Sequence, residues 1–431
     1  MFLLFWGSVC YNQNKQEKRK TKGNFSRERR KIMEKLQYIQ DFENLGMGLF
    51  VHFGLYSIVA KGEWYKAYYK VEMKDYIPLI KKFKIKKTWA KELVATAKKA
   101  GARYITITTR HHDGFSLYDT CGLNDFDAPH SPTGRDLIRE FVDECNKAGI
   151  VPFFYHTLLD WYNEDYYNNF PKYLEYLRAS VEILCKNYGK IGGLWFDGMW
   201  DKKDADWEED ALYATIRKYQ PEAMIINNTG LSECGKTGHK EIDSVTFERG
   251  KPAFVDCSEK YVAGEMCQVL NDHWGYAKQD LNYKPVAELI GNLVDCRRYN
   301  CNFLLNTGLM GNGSVQLIDR AILEKIGEWI KVNKNFIYSA RATDLQAENA
   351  ICMTDGKYYY AIIGGVGMTA DPNVALNTEA SKVKILSDKK VKNAVWLDDG
   401  KRFKAKKNEF IATPFAYGIS RNYRVAKFEL R

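Results

Sequence analysis

Between about residues 45 and 335 the chain repeats one rhythm: a short run rich in β-branched and aromatic residues, then a longer stretch whose apolar residues recur every three or four positions. Such alternation builds βα units, with parallel strands covered by amphipathic helices. The strand candidates are residues 46–54, 103–109, 151–156, 192–197, 223–228, 243–248, 264–270 and 302–306. Eight such runs predict an α/β fold of the (β/α)8-like TIM-barrel kind. Helix candidates lie at 88–101, 135–149, 170–189 and 284–300, and the first three end on glycine, the residue best suited to a left-handed C-cap.

The polar residues fall at the C-terminal ends of these runs: His52, the HHDG of 111–114, Tyr155 with His156, Asp197, Asn227 with Asn228, Glu248 and Asn306. In a (β/α)8 barrel all eight strand C-termini open onto one face, and that face carries the active site. Residues spread over some 250 positions are thus expected to converge.

After residue 336 the rhythm changes to short strands, at 358–365, 382–387, 393–397, 402–413 and 415–420, which predicts a C-terminal β-sandwich. The Asp399-Gly400 pair reads as a type I′ hairpin turn. Three segments follow: a basic, disordered N-terminal extension over 1–36, a catalytic barrel over 37–336 and a sandwich over 337–431.

The net charge of +10 is concentrated in one place, since residues 15–31 hold nine Lys or Arg against two Glu. A basic block confined to one end is no nucleic-acid footprint, which needs positive charge spread across a folded surface. The apolar opening, MFLLFWGSVCY, lacks a basic n-region and a clear cleavage site, and no later run reaches the ~18 apolar residues of a membrane span. A cytoplasmic protein with no membrane span is the expectation. Ten cysteines with no C-x-x-C pair fit buried, reduced thiols better than disulfides or zinc.

Asp197, in LWFDG, is a lone carboxylate at the end of an aromatic strand, where burial and nearby donors act in opposite directions on its charge, a balance suited to a nucleophile. Glu248 ends the run SVTF and is the second carboxylate; Glu265, in GEMC, competes for the same part. Two carboxylates across one pocket can divide glycoside hydrolysis into attack and proton transfer. The HHDG histidines offer no metal-ligand spacing, so no metal is expected; imidazoles, Trp and Tyr can instead bind sugar hydroxyls and cover a sugar's apolar face.

Seven motifs in order, GLFVHFGLYS with EWY, HHDGF, RDLIREF, FFYHTLLDW, LWFDG, GEMCQVLNDHWGY and NFLLNTGLMGNGSV, resemble the α-L-fucosidases of glycoside hydrolase family 29. The resemblance runs from about residue 40 to 335, leaves out the basic tail, and implies a barrel followed by a β-sandwich and hydrolysis with retention. It implies Asp197 as nucleophile and His52, Glu63, Trp64, His111, His112, Tyr155 and Trp195 as substrate-binding positions. The general acid/base falls to Glu248 or, as the alternative, Glu265. Departures are INNTG at 226–230, where the family has an Asn-Asp-Arg-Trp pattern, Phe53 where Trp often follows the His, and the missing Trp before Glu265. The expected activity is a retaining, exo-acting α-L-fucosidase on fucosylated oligosaccharides or glycoconjugates, needing no cofactor. The readings held open beside it are a barrel glycosidase for another sugar, such as an α-galactoside, and a non-catalytic carbohydrate-binding relative. The oligomeric state stays open.

Overall fold

A computed structural model describes residues 36–375 and 377–431. The basic extension read at the N-terminus therefore lies outside the described residues, apart from Leu36.

Eight parallel strands close into a barrel in chain order: β1 (Met47–His52), β2 (Tyr104–Arg110), β3 (Val151–Thr157), β4 (Gly193–Asp197), β5 (Met224–Asn227), β6 (Ser244–Glu248), β7 (Ala263–Val269) and β8 (Cys301–Gly308), with β8 pairing back onto β1. All eight expected runs supply a barrel strand. The reason is legible in their composition: both faces of these strands are covered, so each reads as a nearly continuous apolar run bounded by turns.

Alternate residues serve different cores. Leu194 and Phe196 of β4 join the outer layer with the helices, whereas Trp195 packs inside the barrel with Phe50, Tyr155, Met224, Ile226 and Leu304. The helix Gln37–Leu45 carries Phe42 onto the rings of Tyr104 and Phe153, 5.6 Å from each, at the N-terminal end of the barrel. The opposite end is left for the strand-end polar residues. The expected C-caps also form, for Gly101, Gly149 and Gly189 all take positive φ just after the helices Trp89–Lys99, Leu137–Ala148 and Phe170–Asn187.

Beyond the helix Leu317–Ser339 come β9 (Arg341–Ala342), β10 (Gln346–Glu348), β11 (Ile351–Thr354), β12 (Tyr359–Val366), β13 (Ser381–Leu386), β14 (Val391–Trp396), β15 (Glu409–Ala412) and β16 (Asn422–Leu430). They form a three-stranded sheet, β10-β13-β15, and a five-stranded sheet, β14-β16-β12-β11-β9. Val383, Ile385 and Phe410 from the first meet Ile363, Trp396 and Phe428 from the second in one apolar core. Trp329 and Phe336 of the preceding helix reach Tyr423 and Tyr360 of the larger sheet.

Several details here depart from the sequence reading: β9, β10 and β11 went unread, and of the run read at 402–413 only Glu409–Ala412 is a strand. Residues 415–420 form no strand, because Gly418 turns the chain at φ 84°. The long strand β16 went unread, its apolar alternation being diluted by Arg424, Lys427 and Glu429. The Asp399-Gly400 turn is not type I′: only Gly400 has positive φ, and its N–H closes back onto the Trp396 carbonyl at 3.0 Å. Arg424 ion-pairs with both Asp398 and Asp399 and so draws this loop onto β16. The nine described cysteines are free, and no described helix is long and apolar enough to cross a membrane.

A close helix–helix joint lies between Trp89–Lys99 and Leu317–Ser339, where a Cβ on Gly327 would sit 1.8 Å from the Lys99 carbonyl oxygen. Alanine would gain up to about 1 kcal/mol of helix propensity there, yet it must push two backbones apart. Gly327→Ala is expected to destabilise the protein by about 1–3 kcal/mol net, read as a lowered midpoint in thermal or denaturant unfolding.

Candidate active site

The inward-pointing strand-end residues meet in one layer. Asp197 of β4 accepts from the Tyr155 hydroxyl of β3 at 2.9 Å on Oδ2, and from the Trp200 indole at 3.3 Å and the Asn228 amide at 3.2 Å on Oδ1. His112 Nε2 stands 3.6 Å from Oδ2. Glu248 of β6 accepts from the same Asn228 nitrogen at 2.7 Å. Because one nitrogen reaches both carboxylates, their nearest oxygens can be no further apart than those two hydrogen bonds laid end to end. Carboxylates brought this near are compatible with the ~5–5.5 Å carboxyl separation of retaining glycosidases.

The surroundings set the charges. Burial, and next the negative charge of Asp197, push Glu248 up to about 7, against the opposing pull of the Asn228 hydrogen bond and of Arg249. Burial pulls His52 down to about 3 although its Nδ1 hydrogen-bonds Asn306 Oδ1 at 2.7 Å. His111 is driven well below its ordinary value, again by burial, with His112 and His52 adding to the effect. His112 is lowered by burial despite the counter-pull of Asp197. All three imidazoles are therefore neutral near pH 7, able to donate or accept hydrogen bonds without adding positive charge.

The expected sugar-binding residues sort into two layers. His52, His111, His112 and Tyr155 line the upper one, with the His111 ring stacked on Tyr155 at 5.6 Å. Trp64 stands at the rim, 5.4 Å from His112 and stacked on Trp200 at 5.9 Å. Glu63 turns inward, pushed up by burial, with Oε2 accepting from the Gly275 N–H at 2.7 Å. Trp195 sits lower. Its ring stacks under Tyr155 at 5.6 Å and its indole donates to Glu265 Oε1 at 3.0 Å.

Glu265 is likewise one layer down. In the register of β6 with β7 it pairs with Thr246, two residues before Glu248, and its other oxygen accepts from Tyr104. The sequence reading favoured Glu248 because it ends its strand, whereas Glu265 stands third in Ala263–Val269, and the register of the two strands places Glu265 two residues below Glu248. Period-two alternation also sends His156 and Asn227 outward, to Thr109 and to Tyr213, although each neighbours an inward residue. Asp113 of HHDG points away as well, accepting from the Tyr76 hydroxyl at 2.8 Å.

The sequence reading missed Asn228 and Trp200 as site residues, and with them Trp274, whose ring lies 5.4 Å from His52. Asn228 was among the strand-end polar residues expected to converge but was given no role; Trp200 follows Asp197 by three positions, the offset that returns a residue to the same side of one helical turn.

Residues 11–335 match the family model described as "Alpha-L-fucosidase". The chain belongs to the α-L-fucosidase family. The family match begins at residue 11 and so takes in the basic run that the sequence reading had set outside the resemblance. Among similar curated proteins, the mouse tissue α-L-fucosidase is 27% identical over 71% of this chain and 73% of its own length. The α-L-fucosidase of Dictyostelium discoideum is 24% identical over 84% and 86%. Among solved structures, α-L-fucosidase isoenzyme 1 from Paenibacillus thiaminolyticus superposes with a TM-score of 0.78 at 27% identity, covering 92% of this chain and 99% of that one. This α-L-fucosidase family member is a glycoside hydrolase of barrel-plus-sandwich architecture.

Glu265 has a consequence for stability. Burial raises it to about 7 from an ordinary 4.5, so between those values the folded protein holds a proton that the unfolded chain has released. Stability from this group is full below about pH 4.5 and is lost as pH rises through about 7, a swing of the order of 3 kcal/mol. Glu265→Gln is expected to flatten that part of the stability profile, measured by denaturant unfolding at intervals from pH 5 to pH 8.

Proposed function

We propose that Asp197 and Glu248 divide the hydrolysis of terminal α-L-fucosyl residues between them, Asp197 as nucleophile and Glu248 as general acid and then base. The observation that carries this reading is the pair itself: two carboxylates within reach of one amide nitrogen, one held by three donors and the other pushed up to about 7.

In the first step a carboxylate oxygen of Asp197 forms a bond to the anomeric carbon while the glycosidic C–O bond breaks and the Glu248 proton passes to the departing oxygen. Asp197 accepts hydrogen bonds from three neutral donors, Tyr155, Trp200 and Asn228. The resulting β-linked fucosyl ester carries no charge on Asp197, so one of the causes that raised Glu248 is gone. Glu248, having given up its proton, is then more easily kept ionised, and it takes a proton from the water that attacks the anomeric carbon. Two inversions return the α configuration. The neutral imidazoles of His52, His111 and His112 are suited to bind sugar hydroxyls, and the Trp64 and Trp200 rings to cover an apolar sugar face. The scheme requires two carboxyls and water, and fits a fucosylated glycan as substrate.

Turnover of 4-nitrophenyl α-L-fucoside by wild type, Asp197→Gly and Glu248→Gly tests both roles. Asp197→Gly is expected to lose roughly three or more orders of magnitude, with azide restoring turnover as the β-fucosyl azide. Glu248→Gly is expected to lose about 10²–10⁴-fold on unactivated substrates and, with azide, to give the α-anomer. For wild type, kcat/KM is expected to fall above about pH 7 as Glu248 gives up its acid proton. Near-normal activity of Glu248→Gly would remove it from the part.

A further inference from the structure

Asn228, one of the three donors on Asp197, is itself held on both sides. Its backbone N–H donates to the Phe196 carbonyl at 2.8 Å, fastening it to β4 one residue before Asp197. Its Oδ1 accepts from the Thr246 hydroxyl at 3.0 Å and from the Gly230 backbone N–H at 3.3 Å. A backbone N–H can only donate, so the amide oxygen must face Gly230 and the NH2 must face the carboxylates. Both of its hydrogens then have acceptors, Asp197 Oδ1 at 3.2 Å and Glu248 Oε2 at 2.7 Å.

We infer that Asn228 is a positioning residue that decides which oxygen of Glu248 carries the catalytic proton. An amide NH2 donates and does not accept, so Oε2 must be the accepting oxygen in either protonation state. The acid proton is thereby confined to Oε1. It leaves Oε1 for the glycosidic oxygen as the C–O bond breaks, and the proton of the attacking water arrives on Oε1 in the second step. The same nitrogen on Asp197 Oδ1 fixes the two carboxylates relative to one another. This inference rests on the assignment of Asp197 and Glu248 as the catalytic pair.

The amide also favours the ionised form of Glu248, in opposition to burial and to the charges of Asp197 and Glu63, and alongside Arg249. The Tyr155 phenol and the Cys267 thiol face the same carboxylate, both neutral near pH 7 because burial raises them well above their ordinary values. Removing the amide therefore leaves Glu248 holding its proton to higher pH, with that proton free to settle on either oxygen. An aspartate at position 228 would go further, replacing a donor by a third carboxylate.

The test compares wild type with Asn228→Ala and the nearly isosteric Asn228→Asp on two substrates. Methyl α-L-fucoside needs a proton delivered to its leaving oxygen; 2,4-dinitrophenyl α-L-fucoside does not. Both variants are expected to lose about 10²-fold or more in kcat/KM on the methyl fucoside and under about tenfold on the dinitrophenyl fucoside, with the basic limb of the pH profile moved upward. Thermal melting and circular dichroism identify a variant that fails to fold, and if Asn228→Ala fails, Asn228→Asp decides. Equal losses on both substrates with an unmoved basic limb, or no loss on either, would overturn the inference. A wild type that turns over neither fucoside would overturn the fucosidase assignment and this inference with it, whereas wild-type turnover with indifferent variants would overturn this inference alone.

Discussion

Closure of the parallel sheet is the constraint on which everything else depends. Once β8 pairs with β1, every strand residue must point either into the barrel or out to the helices, and residues two apart stack in successive layers. Phe42, Tyr104 and Phe153 occupy the lowest layer, Trp195 and Glu265 the middle, and Asp197, Glu248, Asn228 and His52 the top. A shift of one residue in the register of β4 would turn Asp197 toward the helices and bring Phe196 into the site. The placement of the chemistry is thus a matter of strand register, fixed by the apolar packing beneath it, in which Gly48 matters because a Cβ there would sit 2.3 Å from the Tyr104 ring.

The same layers explain why the barrel tolerates so many buried acids. Asp197, Glu248 and Glu265 are held almost wholly by neutral donors: Tyr155, Trp200 and Asn228 on the first, Asn228 on the second, Trp195 and Tyr104 on the third. A direct cationic partner would pull each carboxyl well below its ordinary range, leaving no proton for an acid to give near neutrality. Neutral donors offset part of the cost of burying charge and leave the balance adjustable. Burial raises Glu248 and Glu265 to about 7 and their neutral donors oppose this only in part; Glu248 stands at the strand end and Glu265 a layer below.

How much of this was legible in the sequence follows from which rules are local. Strand identity was, because each barrel strand is a compact apolar run between turns; so were the nucleophile candidate and the histidines, standing where those runs end. Which of two adjacent polar residues faces inward was not, since it requires the register: Tyr155 enters the site and His156 leaves it, Asn228 enters and Asn227 leaves. Glu248 and Glu265 differ in a way the sequence did offer, since Glu248 ends its strand and Glu265 stands third in its own. The C-terminal sheets were read less well, because half-exposed antiparallel strands carry charged residues between apolar ones, and Arg424, which ties a loop to β16, dilutes the very pattern that would announce the strand.

INNTG shows how a departure from a family pattern acquires a physical meaning. Thr229 turns away and donates to the Glu233 carbonyl at 2.8 Å, and the segment itself brings no cation to the carboxylates. What it brings instead is the Asn228 amide, oriented by Thr246 and by the Gly230 N–H. The positive charge felt by Glu248 comes from Arg249, which holds positive φ, lies over the Trp274 ring at 5.1 Å and donates to the Asp272 carbonyl. A rim cation acts on Glu248 through its field alone, whereas an amide in contact also selects between the two oxygens. An amide at this point offers less electrostatic strength than a charged fork would and, on the inference above, gives control over where a single proton resides.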